Sequence, residues 1–254
     1  MDSSVSLRTV ICVPCYNEEN RLNKNAFLSF VNTHSDVVLL FVNDGSKDKT
    51  LDVLNAFAEK HERIEVLDLP QNSGKAEAVR QGMLHAMTFN PNFVAFYDAD
   101  MATPPEDLYA MITLINEKPY HAVIGSRILR LGGNIDRTFM RGIASRVFAN
   151  VAARTLGELK IYDTQCGAKV FRTSVAQIIF EQPFMTNWIF DVELLARMIK
   201  QYGMQSMYDN VYEYPLSAWH DVDGSKIKKM DFIRQIFDMY KIKRHYKLNS
   251  RYEK

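Results

Sequence analysis

The chain has 254 residues, 47% of them hydrophobic and 24% charged, with a formal net charge of +1. This is the composition of a globular protein with one sizeable core, and it leaves little room for two independent domains. The longest strongly apolar stretch, Val37 to Val42, is far below the roughly 20 residues of a membrane span, and no signal-peptide pattern opens the chain, so we expect a cytoplasmic protein that does not cross a bilayer.

Short apolar strands alternate with helical patterns in the first half of the chain. The predicted strands are Thr9–Val13, Val37–Val42, Glu65–Leu69, Phe93–Tyr97 and His121–Ile124. The predicted helices are Leu22–Val31, Thr50–His61, Lys75–Met87 and Pro105–Glu117. Thr103 is expected to cap the last of these helices. The alternation predicts right-handed β-α-β units and a mainly parallel sheet covered on both faces.

The second half of the chain is less regular and ends in a basic segment. It has a predicted helix at Phe139–Thr155, a strand at Gly167–Phe171 and a helix at Asp191–Tyr202. From residue 226 onward it holds ten Lys and Arg against three Asp and Glu. The preceding body therefore carries a net charge of about −6, and the extension is strongly basic by comparison.

Cysteine and histidine usage argues against a dithiol site and against a zinc site. The three cysteines, Cys12, Cys15 and Cys166, are too few for a disulfide framework and fit a reducing compartment. Cys12 and Cys15 form a C-x-x-C pair that ends an apolar strand instead of opening a helix, which favours buried small side chains over dithiol chemistry. The six histidines lack ligand spacing, so a zinc site is not expected.

Polar residues follow four predicted strands, at the strand ends where ligands bind in parallel α/β sheets. They are Pro14-Cys15-Tyr16-Asn17-Glu18-Glu19, Asn43-Asp44-Gly45-Ser46, Asp98-Ala99-Asp100 and Gly125-Ser126-Arg127. Asp98 and Asp100 alternate on a strand end and so point the same way. Such a pair suits Mg²⁺ or Mn²⁺, whose coordination shell substrate phosphates complete. The alternative is a helix-capping or solvated acidic turn.

Two loops are candidates for binding a nucleotide. Asn43-Asp44-Gly45-Ser46 is either a plain turn before a helix cap or a nucleoside contact in which Asp44 accepts hydrogen bonds from a base or ribose. Asn72-Ser73-Gly74-Lys75 lacks the full phosphate-loop pattern. That argues against ATP hydrolysis and for a loop that shapes a nucleotide pocket.

The ordered segments VPCYNEENRL, FVNDGSKDKT, NSGKAEAVRQGM, FYDADMATPPEDL and GSR resemble family 2 glycosyltransferases of the GT-A fold. YDTQCGAKVF, WIFDVELL and VDGSKIKKMDF are similar to the dolichyl- or polyprenyl-phosphate β-glucosyltransferase branch, relatives of dolichyl-phosphate mannose synthase. The resemblance covers nearly the whole chain. It implies a GT-A (Rossmann-like) catalytic domain over residues 1–225, with a nucleotide-sugar-binding half (1–127) and an acceptor-binding half (128–225), followed by a helical extension (226–254).

The resemblance also implies roles for individual residues. The residues expected to bind the nucleotide sugar are Pro14, Tyr16, Glu18, Asp44, Gly74, Lys75, Asp98, Ala99 and Asp100, and Asp98 and Asp100 would also hold the metal. Asp191 matches the position usually assigned the general base, with a helix N-cap as the alternative. Arg127, Arg141 and Ser145 match the positions that hold a lipid phosphate, with solvated surface arginines as the alternative.

The expected reaction is the inverting transfer of a hexose from a nucleoside-diphosphate sugar to a polyprenyl or dolichyl phosphate, glucose from UDP-glucose being favoured. A soluble glycan acceptor in cell-surface polysaccharide synthesis is one alternative. A nucleotide-sugar-binding scaffold without turnover is another. Nucleic acid is not an expected partner.

The basic extension carries an apolar stripe at three- and four-residue steps. Its members are Ile227, Met230, Ile233, Phe237 and Tyr240. A helix from about Lys226 to His245 could therefore lie on the cytoplasmic face of an anionic membrane, with its basic residues near the headgroups. The alternative is that the stripe packs on the catalytic domain.

Overall fold

The computed structural model describes residues 9–135, 139–219 and 229–248, and for residues 139–145 and 229–233 it describes the backbone only. The strands are β1 Thr9–Cys15, β2 Val37–Asp44, β3 Ile64–Leu69, β4 Phe93–Tyr97, β5 Ala122–Ser126, β6 Asn134–Ile135, β7 Ala168–Arg172, β8 Val211–Pro215 and β9 Ala218–Trp219. The helices are α1 Lys24–Thr33, α2 Thr50–Ala58, α3 Lys75–Met87, α4 Pro105–Glu117, α5 Phe139–Thr155, α6 Thr173–Ile179, α7 Phe190–Tyr202, α8 Met204–Asn210 and α9 Lys229–Tyr246.

One seven-stranded sheet organises the molecule, in the order β3-β2-β1-β4-β7-β5-β8. β7 is antiparallel to β4 and β5, and the other pairings in this sheet are parallel. β6 and β9 form a small separate parallel ladder. The sheet is mainly parallel and the helices flank it, so the predicted α/β class is confirmed.

The central strands are buried on both faces. Every residue of β2, β4 and β5 is buried, as expected where helices cover both sides of a parallel sheet. One apolar cluster joins the sheet to α3, α6 and α7 and includes Met83 and Phe190, while the other joins it to α1, α2 and α4 and includes Phe27 and Leu108. The core is therefore two layers separated by the sheet.

The insertion of β7 decides which loops come together. Because β7 runs antiparallel to β4 and β5, its amino end lies at the same sheet edge as their carboxyl ends. Gly167 precedes β7, and its carbonyl accepts a hydrogen bond from the Asp98 amide at 2.9 Å. A segment from the second half of the chain thus completes the edge that the first half begins. Strands from both sides of residue 127 share one sheet. The proposed division into a nucleotide-sugar-binding half and an acceptor-binding half stays a prediction.

Most predicted elements of the first half agree with the structure to within a few residues. The α6 and α8 helices and the β8 strand were not predicted. Thr103 as a helix cap is wrong, because Pro104 occupies the N-cap of α4. Thr103 is instead buried, and its carbonyl accepts a hydrogen bond from the Tyr97 hydroxyl.

The three cysteines are free and buried, as predicted for small apolar side chains. Burial raises the pKa of the Cys12 thiol and of the Cys15 thiol well above the usual range. A thiol held in its neutral form is a poor nucleophile and a poor metal ligand. The dithiol interpretation of the C-x-x-C pair therefore has no support in its surroundings.

The C-terminal helix α9 packs on the body through a different face from the predicted stripe. Met239 and Ile242 are buried where α9 contacts α5 and α7. Phe237 and Tyr240 are 64% and 65% exposed, so the packing alternative is wrong for these two residues. Ile227 lies outside the described residues, as do the side chains of Met230 and Ile233. None of the described helices has the length and apolar character needed to cross a bilayer.

Candidate active site

Asp44, at the end of β2, clamps the neighbouring loop. Its side chain is only 3% exposed, and its two oxygens accept the backbone amides of Ser73 at 2.7 Å and Gly74 at 3.0 Å. Gly45 has a φ of +56°, and a Cβ there would overlap the backbone of Gln71 and Asn72. The turn after β2 and the Asn72–Lys75 loop therefore form one wall of the candidate site. Asp44 stabilises this wall, in addition to its predicted contact with a nucleoside.

The segment after β1 is tied to the same wall. Asn17 adopts a φ of +56°; its amide donates to the Ser46 hydroxyl at 3.0 Å, and its side-chain oxygen accepts the Lys47 amide at 2.9 Å. The Glu18 amide donates to the Thr50 hydroxyl at 2.8 Å. Tyr16 and Glu18, predicted to bind the donor, thus lie on a turn that hydrogen bonds between backbone amides and side chains hold beside β2, and Pro14, also predicted to bind it, lies near the end of β1.

Three of the predicted donor-binding residues directly follow the carboxyl end of β4. They are Asp98, Ala99 and Asp100. The Lys75 ammonium contacts Asp98 Oδ1 at 2.6 Å, and Asp100 Oδ1 accepts the Ala102 amide at 3.1 Å. Burial alone would lower the pKa of Lys75, but Asp98, Asp191 and Asp100 together raise it. Lys75 therefore pairs directly with Asp98, and Asp191 and Asp100 act on it electrostatically.

The charge of Asp98 affects the ionisation of Asp100. Although solvent reaches its side chain, desolvation by the surrounding site and the charge of Asp98 raise its pKa. Like charges held close together favour either a shared proton or a cation. Among the described residues no group of three or more His, Cys, Asp or Glu side chains could hold a metal.

Gly167 lies directly against the Asp98 carboxylate. A Cβ at Gly167 would overlap Asp98 Oδ2 and Cγ, while the Gly167 carbonyl accepts the Asp98 amide. Only a residue without a side chain allows this approach, because the obstructing atoms belong to a carboxylate that Lys75 also holds. Gly167 therefore sets the position of the first acidic residue.

Asp191 lies at the same edge on the first turn of α7. It is 7% exposed, and its Oδ1 accepts a hydrogen bond from the Lys169 ammonium at 2.6 Å. Burial raises the pKa of Asp191 despite the nearby charges of Lys169 and Lys75. α7 begins at Phe190 with Ile189 as its N-cap, so the N-cap alternative for Asp191 is wrong. A carboxylate with a raised pKa at a site edge suits a general base.

The segment before α7 closes the other side of the site. The side chain of Asn187 lies against Gly74, next to Trp188, which is 47% exposed. The Asn72–Lys75 loop is thus enclosed by β2 on one side and by the approach to α7 on the other.

Comparison with known proteins identifies the group to which this architecture belongs. Residues 10–180 match the family described as "Glycosyl transferase family 2", a range that contains Asp44, Asp98, Asp100 and Gly167. The chain belongs to glycosyl transferase family 2. Several curated relatives cover almost all of it.

Those relatives are dolichyl-phosphate beta-glucosyltransferases. The Trichomonas vaginalis protein is 32% identical over 93% of this chain and 73% of its own length. The Saccharomyces cerevisiae protein is 32% identical over 97% of this chain and 77% of its own. The Drosophila melanogaster protein is 32% identical over 89% of this chain and 71% of its own length.

Solved structures share the fold. Glucosyl-3-phosphoglycerate synthase from Mycobacterium tuberculosis, in complex with Mn²⁺, UDP and glucosyl-3-phosphoglycerate, superposes with a TM-score of 0.68 at 14% identity, covering 93% of this chain and 79% of that one. The same synthase with Mn²⁺, UDP-glucose and phosphoglyceric acid has a TM-score of 0.67 at 15% identity, with the same coverage. The predicted GT-A fold of this glycosyltransferase is confirmed.

Arg127 follows β5 and is already engaged. Its Nε and Nη2 donate to the two oxygens of Asp163 at 2.6 and 2.8 Å, and its guanidinium lies 5.3 Å from the ring centroid of Trp219. Glu213 accepts the Asp163 amide at 2.7 Å and so holds that loop in place. The solvated-arginine alternative is wrong for Arg127. Its role as a phosphate ligand stays a prediction, with Nη1 as the guanidinium nitrogen outside the Asp163 pair.

Arg141 and Ser145 lie on α5, which begins at Phe139. Their side chains fall outside the described residues. The α5 helix contacts α9, so the predicted lipid-phosphate residues and the basic extension belong to neighbouring helices.

Sequence reasoning missed Gly167, Asp163 and Lys169 as individual residues. All three lie in the YDTQCGAKVF segment, which served only to establish the resemblance. A signal for Lys169 was present, because a lysine inside the apolar run Ala168–Phe171 must be buried and therefore needs a partner. The signal for Gly167 was weaker, since a glycine before a strand has many explanations.

Proposed function

We propose that this family 2 glycosyltransferase moves glucose, with inversion at the anomeric carbon, from UDP-glucose to a dolichyl or related polyprenyl phosphate. The observation that carries the proposal is the 2.6 Å ion pair between Lys75 and Asp98 at the carboxyl ends of the strands, with Asp100 and Asp191 near enough for their charges to raise the pKa of Lys75. It is supported by relatives at 32% identity that are named dolichyl-phosphate beta-glucosyltransferases.

The donor would bind along the wall formed by the ends of β1 and β2 and the Asn72–Lys75 loop. The residues proposed to contact it are Pro14, Tyr16, Glu18, Asp44, Gly74, Lys75, Asp98, Ala99 and Asp100. The M. tuberculosis synthase of the same fold was solved with UDP and with UDP-glucose. Lys75 is well suited to the diphosphate, since an ammonium on a half-buried stem offers three donors to phosphate oxygens.

Asp98 and Asp100 would hold Mg²⁺ or Mn²⁺. The fit rests on their chemistry, because carboxylate oxygens are the hard ligands that these ions prefer. Phosphate oxygens of the nucleotide sugar would complete the coordination shell. When bound, such an ion neutralises charge on the departing diphosphate. The synthase of the same fold was solved with Mn²⁺.

Asp191 would act on the acceptor side. In the transfer, an oxygen of the acceptor phosphate forms the bond to the anomeric carbon. The bond from that carbon to UDP breaks, and UDP leaves with the electron pair. A phosphate monoester has a second pKa of about 6, so at neutral pH it needs little deprotonation. Asp191 would therefore chiefly orient the acceptor, and would take a proton when the acceptor is protonated.

Arg127, Arg141 and Ser145 would hold the acceptor phosphate. Arginine suits this role because its planar guanidinium forms paired hydrogen bonds to phosphate. For Arg127 the ion pair with Asp163 fixes the plane of the guanidinium, which would preorganise it.

The exposed face of α9 would meet the membrane that contains the acceptor. Phe237 and Tyr240 project from the helix with Ile236, which is 41% exposed. Exposed Lys241 and Arg244 flank them, and each basic residue near an anionic surface contributes about 1 kcal/mol. The described part of the stripe thus faces away from the body, as an interfacial helix requires.

Vesicle sedimentation tests the membrane contact. The chain should sediment with phosphatidylserine-containing vesicles, less with phosphatidylcholine alone, and be released by salt, because screening shortens electrostatic reach. Replacing Phe237 and Tyr240 by Ser should weaken sedimentation, whereas Ile178→Ser, at another exposed apolar residue, should not. Equal sedimentation of both variants would exclude α9 as the contact.

Product analysis tests the reaction. With radiolabelled UDP-glucose and Mn²⁺ or Mg²⁺, label should move to dolichyl phosphate and become extractable into organic solvent, and excess EDTA should prevent it. Parallel reactions with 3-phosphoglycerate and with a soluble glycan separate the acceptor classes. Label on a soluble acceptor alone would overturn the lipid assignment, and full activity in EDTA would overturn the metal assignment.

A further inference from the structure

A charged side chain is sealed inside the sheet next to the site. Lys169 is the second residue of β7 and is 1% exposed, and its neighbours in the strand are buried and apolar. Placing an ammonium there costs several kcal/mol unless it is paired. Its partners therefore reveal why the position holds a lysine.

The surroundings of Lys169 accommodate its three N–H donors in three directions. The ammonium donates to the Cys166 carbonyl at 2.7 Å and to Asp191 Oδ1 at 2.6 Å. Its nitrogen also lies 5.1 Å from the centroid of the Phe96 ring, a cation–π distance. The ammonium is thus held by the segment before β7, by α7 and by β4.

Stability alone does not account for this pair. Replacing a buried ion pair by apolar residues of similar volume is often neutral or stabilising, and Lys169 and Asp191 are surrounded by the apolar cluster that includes Phe96 and Phe190. The carboxylate of this pair, however, also acts electrostatically on Lys75. The pair therefore joins the core to the site.

We propose that Lys169 is a positioning residue that holds the Asp191 carboxylate in one orientation toward the acceptor, an inference that rests on the proposed role of Asp191. Lys169 binds Oδ1, which leaves Oδ2 as the oxygen directed to the acceptor. The Cys166 carbonyl, adjacent to Gly167, holds the ammonium itself. One short segment thus sets both Asp98, through Gly167, and Asp191, through Lys169.

The test compares Lys169→Met and Lys169→Arg with Asp191→Asn, using dolichyl phosphate as acceptor. We expect Lys169→Met to lower kcat by about 100-fold, the usual scale for a misplaced catalytic group, with the UDP-glucose Kd unchanged. Lys169→Arg, which restores a cation to Oδ1, should recover at least part of kcat. A merely structural residue would change the melting temperature without this recovery.

The double variant decides whether Lys169 acts through Asp191. In the Asp191→Asn background, Lys169→Met should change kcat by less than about threefold, because interacting residues are not additive. The double variant leaves neither an unpaired carboxylate nor an unpaired ammonium in the core, and kcat is compared per folded molecule, so the comparison does not need Lys169→Met alone to be stable. An undiminished effect of Lys169→Met in the double variant would overturn the proposal.

A second buried ion pair on α7 supplies the control. Arg197 binds Glu193 at 2.8 Å with side chains 9% and 0% exposed. Arg197→Met should lower stability, yet leave kcat per folded molecule unchanged.

Hydrolysis of UDP-glucose by water is measured in the same variants, so that a wrong acceptor and a wrong role for Lys169 give different results. No transfer to dolichyl phosphate with hydrolysis still dependent on Lys169 would reject the acceptor alone. Wild-type hydrolysis and transfer by Lys169→Met would reject the positioning role.

Discussion

Asp191 and Glu193 are two buried carboxylates on the first turn of one helix, and they differ in how fully they are hydrogen-bonded. Glu193 is 0% exposed; Arg197 and Tyr246 donate to its Oε1, and a backbone amide donates to its Oε2. Asp191 is held at Oδ1 by Lys169, and burial leaves its pKa raised. Glu193 joins helices, and Asp191 faces the proposed site.

The difference supports the proposed division between structural and functional charge in this protein. Glu193 links α7 to Tyr246 at the end of α9, and Arg197 also donates to the carbonyls of Ile179, Gln182 and Pro183. Such a network has its hydrogen-bonding capacity filled from within. In the proposed site, Lys75 instead pairs with Asp98, and the charges of Asp191 and Asp100 also raise its pKa; we expect such partners to be exchanged for substrate.

Among these variants, Asp100→Asn should lower turnover the most. We expect turnover to fall by about 1000-fold, because a charged donor is lost where diphosphate charge develops, with the fold intact by circular dichroism. Asp209→Asn, at an exposed carboxylate on α8, should be neutral. A wild-type rate from the Asp100 variant would contradict the metal assignment.

Asp191→Asn should lower turnover by about 100-fold, within the usual range for a general acid or base, while UDP-glucose affinity measured by titration stays nearly constant. Burial raises the pKa of Asp191, so the wild-type kcat/KM should be present above that pKa and be lost as pH falls through it. The Asn variant should lose the contribution of Asp191 to this acidic limb and keep only that of the acceptor phosphate, whose second pKa is about 6. Collapse of donor binding would show that Asp191 serves the donor instead.

Gly167→Ala should have an intermediate effect. Its Cβ would overlap the Asp98 carboxylate, so either the strand or Asp98 must shift; we expect a loss of kcat greater than about tenfold. Gly132→Ala meets no atom within 4 Å but strains a φ of +81°, and serves as a control for the loss of a glycine. Equal activity of the two variants would rule out contact with Asp98 as the reason for Gly167.

Glu193→Gln should have the smallest effect on turnover but a large effect on stability. It leaves the buried Arg197 charge without its partner, which costs about 3 kcal/mol, measured as the free energy of unfolding in urea. The kcat per folded molecule should not change. A loss of kcat at unchanged stability would contradict the structural role given to Glu193 and the functional role given to Asp191.

Local patterns were enough to predict the first half of the fold. Each β-branched run is followed by a helical repeat of ordinary length, and α3 and α4 have the bounds that their periodicity indicates. The acidic pair after β4 was equally visible, because sheets of this kind bind ligands at strand ends. The face of α9 was not predictable, since its apolar residues form two stripes and only the neighbouring helices decide which is buried.

The sequence by itself determined the family, the α/β class, and Asp44, Asp98, Asp100 and Asp191 as candidates. Only the tertiary structure decided that β7 enters between β4 and β5 in the antiparallel direction. That choice brings Gly167 against Asp98 and Lys169 against Asp191 across 69 and 22 positions of sequence. Spacing along a chain carries no record of such contacts, because they arise where strands distant in sequence share backbone hydrogen bonds.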